Sequence, residues 1–111
     1  MTTREEKKLL VDIVESINSI DQHLEGKRIL EEYLSNKTKR RAVEREIEII
    51  GEAMSKLLKI NPNISISYSR LVVDLRNKVI HAYDNVDYIL IWKIVNKDIP
   101  LLLDRKSTRL N

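Results

Sequence analysis

Apolar residues recur at three- and four-residue steps along most of this chain, the spacing of helices with one buried face. Leu9, Leu10, Ile13, Val14, Ile17 and Ile20 predict a first helix running to about His23. Thr3 followed by Glu6 has the capping-box spacing that would open it. Gly26 punctuates, and Ile29, Leu30, Tyr33 and Leu34 predict a short second helix. After the polar break Ser35-Asn36-Lys37-Thr38, with Thr38 the candidate N-cap, a third helix is expected from Lys39 to Lys59. Its apolar line is Ala42, Val43, Ile47, Ile50, Met54, Leu57 and Leu58. Gly51 interrupts that helix at a cost of about 1 kcal/mol relative to alanine. Close approach of another helix is the expected compensation. Asn61-Pro62-Asn63 is a strong turn signal. Ser67 or Ser69 is then expected to cap a fourth helix carrying Leu71, Val72, Leu75, Val79 and Ile80, with Asp84-Asn85 ending it. A fifth helix holds Val86, Ile89, Leu90, Trp92, Ile94 and Val95, and Asp98 is placed to cap a final turn with Pro100 near its start. The expected fold is all-α: an up-and-down bundle of four main helices plus a short one.

Composition agrees with this pattern. The 111 residues are 42% hydrophobic with only two glycines and two prolines, which favours a compact helical domain over a sandwich or a disordered chain. Cysteine is absent, which excludes disulfides and thiolate zinc sites. Two histidines alone argue against a structural metal, so no metal or cofactor is expected. The N-terminal stretch lacks a signal-peptide apolar region, and no apolar run reaches the roughly 20 residues of a membrane span. The expected location is the cytoplasm. Asp104 to Asn111 look like translated sequencing-adapter DNA, so residues 1–103 are read as the single domain and 104–111 as a non-native tail. The tail carries three cations and one anion out of a formal net charge of +3. The remainder is close to balance, too slight a basicity to argue nucleic-acid binding.

Chemistry concentrates in one place. Leu75-Arg76-Asn77-Lys78-Val79-Ile80-His81-Ala82-Tyr83 puts a guanidinium, an amide, an imidazole and a phenol at the end of the fourth apolar helix. Arg76 is a fixed cation suited to phosphate, and His81 can take and give a proton near neutral pH. Asn77 and His81 are four apart and share a face. Arg76 and Tyr83, seven apart, are nearly aligned. Arg76 and His81 diverge by roughly 140° on an ideal helix. They converge only if the helix ends near His81 or if a second chain supplies the missing partner across a two-fold axis. The groups suit RNA cleavage without metal. His81 would take the 2′-hydroxyl proton, Arg76 would neutralise charge on the phosphate, and Asn77 would orient the ring or bind phosphate. The structural alternative is an ion-pairing arginine, a half-buried histidine, an exposed asparagine and a packed tyrosine.

The segment Arg76, Asn77, His81, Tyr83 fits the pattern Arg-x4-His-x-Tyr, and the chain resembles the HepT-like ribonuclease toxins of the HEPN superfamily. Ile49-Ile50-Gly51-Glu52-Ala53 resembles that family's third-helix segment. Ile91-Trp92-Lys93-Ile94-Val95 and Asp98-Ile99-Pro100-Leu101-Leu102 resemble its C-terminal one. The likeness runs from about Leu9 to Leu103. Tyr68 stands where many relatives have Trp. The resemblance implies a HEPN-like homodimer with two Arg-x4-His motifs in a shared cleft. It implies a metal-independent endoribonuclease of a type II toxin–antitoxin system, leaving a 2′,3′-cyclic phosphate. It implies an MNT-type nucleotidyltransferase antitoxin that adds AMP to the motif tyrosine. By position, Arg76, Asn77 and His81 would be catalytic and Tyr83 the AMPylation site.

Lys37, Lys39, Arg40, Arg41 and Arg45 form the densest basic cluster, at an expected helix N-terminus where cations are disfavoured. That placement marks them as candidate contacts for RNA or for the antitoxin, with a solvated charged face as the alternative. His23 reads as a surface histidine near a helix end. Trp92, Leu90 and Ile94 read as core or as a dimer contact. The competing function is a non-catalytic helical dimer that binds a nucleotidyltransferase; a degenerate toxin is a third reading.

Overall fold

The computed structural model describes residues 3–62 and 66–101, with the backbone alone at residues 66–69, 71, 72 and 83. The adapter-like tail, Asn63 of the expected turn and the side chain of Tyr68 lie outside the described residues. Every regular element among the described residues is a helix: α1 (Arg4–His23), α2 (Leu30–Ser35), α3 (Lys37–Ile60), α4 (Ile66–Asp84) and α5 (Tyr88–Lys93), the last running into a π-helical turn, Ile94–Asp98.

Local chemistry sets most of the boundaries. Thr3 caps α1 as its spacing predicts, its hydroxyl accepting from the Glu6 N–H at 3.1 Å. The Glu6 side chain has a further role. It is buried, and its carboxylate accepts from the Asn61 amide beyond the far end of α3 at 3.5 Å, pinning the two helix ends together. α1 closes through Glu25 and Gly26, both at positive φ, with the Gly26 N–H returning to the Asp21 carbonyl at 3.0 Å. The cap of α3 is Asn36, not Thr38: its side-chain oxygen accepts from the Lys39 N–H at 3.0 Å. Asn36 is already extended and is among the strongest capping residues, so the helix starts two residues early and takes Thr38 into its first turn. Ser67 and Ser69 likewise lie inside α4 and do not cap it.

The long helices α1 and α3 pack together along their lengths; α4 lies against α3, and α5 and the π turn bridge α4 and, through α5, α2. Leu9, Leu10, Ile13 and Ile20 meet Val43, Ile47, Ile50, Met54 and Leu57 in the core, which Leu75, Ala82, Ile91, Ile94, Val95 and Ile99 extend. Tyr33 of α2 is fully buried against Trp92, with ring centroids 5.0 Å apart. Four of the apolar positions expected to be buried are exposed, Ile29 at 46% and Ile89 at 50% among them. Ile80 is 50% exposed, and Val86 lies outside the fifth helix at φ +49°. Helix α5 instead begins after Asp87, whose carboxylate accepts from the Leu90 N–H at 2.9 Å. Nor does Asp98 open a new turn. The chain widens into the π turn, with the Ile99 N–H bonding the Ile94 carbonyl, and helical backbone continues through Pro100 to Leu101. A proline ring crowds the carbonyl four residues back, and a widened turn relieves that contact. Asn96 supports the turn by donating its side-chain amide to the Trp92 carbonyl at 2.9 Å.

Candidate active site

Helix α4 carries all four motif residues and buries only part of its circumference. Leu75 and Ala82 face the core, Val79 is half-buried, and Val73, Arg76, Asn77, Ile80 and His81 are exposed. On the helical wheel Val73 and Ile80 lie between Arg76 on one edge and His81 on the other.

Arg76 turns toward α3. Its Nη1 donates to the Ser55 hydroxyl at 3.4 Å, at the side of an open cavity of about 520 Å³ between the two helices. Ile47, Met54, Val79 and Ile80 give that cavity apolar walls, while Lys56, Lys59 and Arg76 supply cations and Glu48 and Glu52 anions. Gly51 lines it too. A side chain added at Gly51 would meet no atom within 4 Å, so the expected close helix approach is absent and the glycine borders open space.

His81 does not line this cavity. It sits in the last turn of α4, exposed, with the Asn85 amide nitrogen 3.3 Å from its Nδ1 and 2.9 Å from its backbone carbonyl. Asn77 is exposed one turn earlier, so Asn77, His81 and Asn85 form a stripe at four-residue intervals. One chain therefore keeps the guanidinium and the imidazole on opposite edges of α4, as their spacing predicts. Tyr83 belongs to the helix by its backbone; its side chain lies outside the described residues. Lys78, inside the motif, is tied to Asp98 of the π turn at 3.2 Å. That bridge anchors the motif helix to the C-terminal segment.

The basic cluster is partly engaged within the chain. Lys39 pairs with Glu25 at 3.5 Å and Glu32 at 3.8 Å. Arg40 donates to the Leu34 carbonyl and lies over the Tyr88 ring, 4.7 Å from its centroid. Arg45 pairs with Glu48 at 3.3 Å, while Lys37 and Arg41 are exposed. His23 bonds Glu46 at 2.9 Å. Two shifted acidities lie beside this cluster. Burial, reinforced by Glu44, pushes the Tyr33 hydroxyl well above its ordinary range. Burial raises the Glu44 carboxyl, against the pull of Arg40. Both belong to a packed aromatic cluster, a structural cause of perturbed acidity. No group of three or more potential metal ligands occurs among the described residues, and none of their helices is long and apolar enough to cross a membrane.

Two contacts escaped the sequence reading. Ser55 was one serine among several on a helix surface. Asn85 carries a usable signal, its four-residue spacing from His81, beside the more obvious one of a helix breaker.

Comparison with known proteins defines the class. A family model described as Ribonuclease HepT-like matches residues 13–107. The chain is 40% identical over 106 residues to "Putative RNase MJ1380" of Methanocaldococcus jannaschii, covering 90% of this chain and 92% of that protein. It is 37% identical over 103 residues to "Probable ribonuclease HepT" of Thermococcus cleftensis, covering 89% and 90%. A bacterial relative, "Putative RNase TTE0752" of Caldanaerobacter subterraneus, is 34% identical over 76 residues, 65% of each chain. No solved structure matches. The fold and these relatives define an all-helical ribonuclease. The chain belongs to the HepT-like ribonuclease family.

Proposed function

We propose that this protein is a metal-independent endoribonuclease whose active site is completed by a second copy of the chain. The observation that carries the reading is the division of α4. Arg76 stands at a cation-bearing cavity on one edge, His81 on the other, and the exposed Val73 and Ile80 separate them. A second copy packed over that apolar strip shields it from water. A two-fold axis there sets Arg76 of each chain toward His81 of the other. In the shared cleft, neutral His81 accepts the proton of a ribose 2′-hydroxyl. The oxygen attacks the adjacent phosphorus, the bond to O5′ breaks, and O5′ takes up a proton from water. A 2′,3′-cyclic phosphate and a 5′-hydroxyl result. Arg76 holds the phosphate oxygens as charge builds on them, and Asn77 contributes a polar contact beside His81. The imidazolium forms at the C-terminal end of α4, where the helix dipole favours positive charge. DNA, lacking the internal nucleophile, is spared.

The same reading makes the chain the toxin of a type II toxin–antitoxin pair. A nucleotidyltransferase antitoxin transfers AMP from ATP to the Tyr83 oxygen and releases pyrophosphate. The added phosphate and nucleoside bring negative charge and bulk two residues from His81, which repels RNA. Lys37 and Arg41, exposed on α3, are the cations available for RNA or the antitoxin, with Lys39 and Arg40 beside them.

Purified chain free of AMP is expected to cut RNA in EDTA and to leave cyclic-phosphate ends. His81→Ala, with unchanged circular dichroism, is expected to lose that activity. Full cutting by the variant would move the active site elsewhere. A stable nucleotidyltransferase complex with no cutting by either form would favour a non-catalytic binding protein.

A further inference from the structure

The Asn85 amide nitrogen meets both the backbone carbonyl and the ring of His81. A backbone carbonyl only accepts hydrogen bonds, so the Asn85 atom 2.9 Å from the His81 carbonyl must be the amide nitrogen and not the amide oxygen. That nitrogen has two hydrogens. One serves the carbonyl, and the other is available to the Nδ1 of His81, 3.3 Å away. Nδ1 is then the accepting nitrogen, and the neutral ring carries its proton on Nε2. The neighbours at four residues either way, Asn77 and Asn85, are both neutral. The charged neighbours at three residues are Lys78, held by Asp98, and Asp84.

We propose that Asn85 is a positioning residue that keeps Nδ1 of His81 unprotonated, which makes Nδ1 the atom that receives the 2′-hydroxyl proton. The tautomer is inferred from these two contacts of the Asn85 amide; its use in catalysis rests on the ribonuclease reading. In the reaction, the 2′-hydroxyl replaces the Asn85 amide as the donor to Nδ1. Its O–H bond breaks, the Nδ1–H bond forms, and the freed electron pair of the oxygen closes on phosphorus as O5′ leaves. The ring, now protonated on both nitrogens, releases the Nδ1 proton to solvent, and the amide returns.

Ring nitrogen shifts of His81 in the intact chain, recorded at a pH where the imidazole is neutral, read the tautomer directly. The wild-type protein is expected to show Nε2–H. Asn85→Asp sets a carboxylate acceptor beside Nδ1 and is expected to move the proton there. That change should lower kcat for RNA on the order of 10²-fold with KM little changed. Asn85→Ala is expected to mix the tautomers and to cleave at an intermediate rate. A wild-type ring protonated on Nδ1, or the same tautomer in wild type and Asn85→Asp, overturns the positioning role. An Asn85→Asp protein that holds Nδ1–H and still cuts at the wild-type rate overturns the assignment of Nδ1 as base. If the wild-type chain cuts no RNA, the ribonuclease reading fails separately, and the ring shifts still decide the role of Asn85.

Discussion

Val86 holds a backbone conformation that a β-branched side chain seldom tolerates. Its φ is +49°, its side chain is 62% exposed, and it directly follows Asn85 in the link from α4 to α5. With little burial to compensate, the left-handed conformation costs about 1–2 kcal/mol. Val86→Gly removes the Cβ responsible, at some cost in unfolded-chain entropy. The expected net effect is a gain of about 1 kcal/mol and a higher Tm in thermal unfolding. Such detail was only partly legible beforehand. Thr3 announced its own capping role because a hydroxyl three residues before a helical amide has one obvious partner. Thr38 misled because Asn36, two residues earlier, competed for the same task and won on its extended backbone. Val86 counted as apolar periodicity, yet its backbone angle depends on how α5 must turn to bury Ile91 and Ile94.

Helices were legible from their periodicity, and α1 ends at the residue expected of it. What the pattern could not supply was the neighbour of each surface. Gly51 shows why. A glycine in mid-helix has a definite cost, but the reason for it lies outside α3, and within one chain the space beside it is open. Gly51→Ala is therefore expected to raise stability by about 1 kcal/mol in denaturant unfolding, with the m value unchanged. A loss of stability would mean that another helix does approach there. The π turn was illegible for a related reason. Pro100 signalled a break, but Ile94, Val95 and Ile99 are all buried, and a widened turn keeps all three in the core where a stop would not.

At the scale of the whole molecule, the motif was legible as chemistry before it was legible as a site. Spacing showed that Arg76 and His81 diverge, and the folded chain keeps them on separate edges of α4. Nothing in a single sequence positions the second chain that would reunite them. A shared cleft makes a specific forecast. Arg76→Ala and His81→Ala are each expected to be inactive alone. Mixed and allowed to exchange subunits, they should recover up to about a quarter of wild-type cutting, since random pairing makes half the dimers mixed and each mixed dimer keeps one intact Arg76–His81 pair of two. No recovery after demonstrated exchange would place both residues in one chain's site.

If the exposed strip of Val73 and Ile80 is the pairing surface of a toxin, as proposed above, it has a consequence for dose. Chains that must pair before they can act yield a working species that grows with the square of abundance while abundance is low. A few stray copies in a cell would then be nearly harmless. A doubling of supply would quadruple the damage, and a modest excess of antitoxin would suffice to hold the system below its threshold.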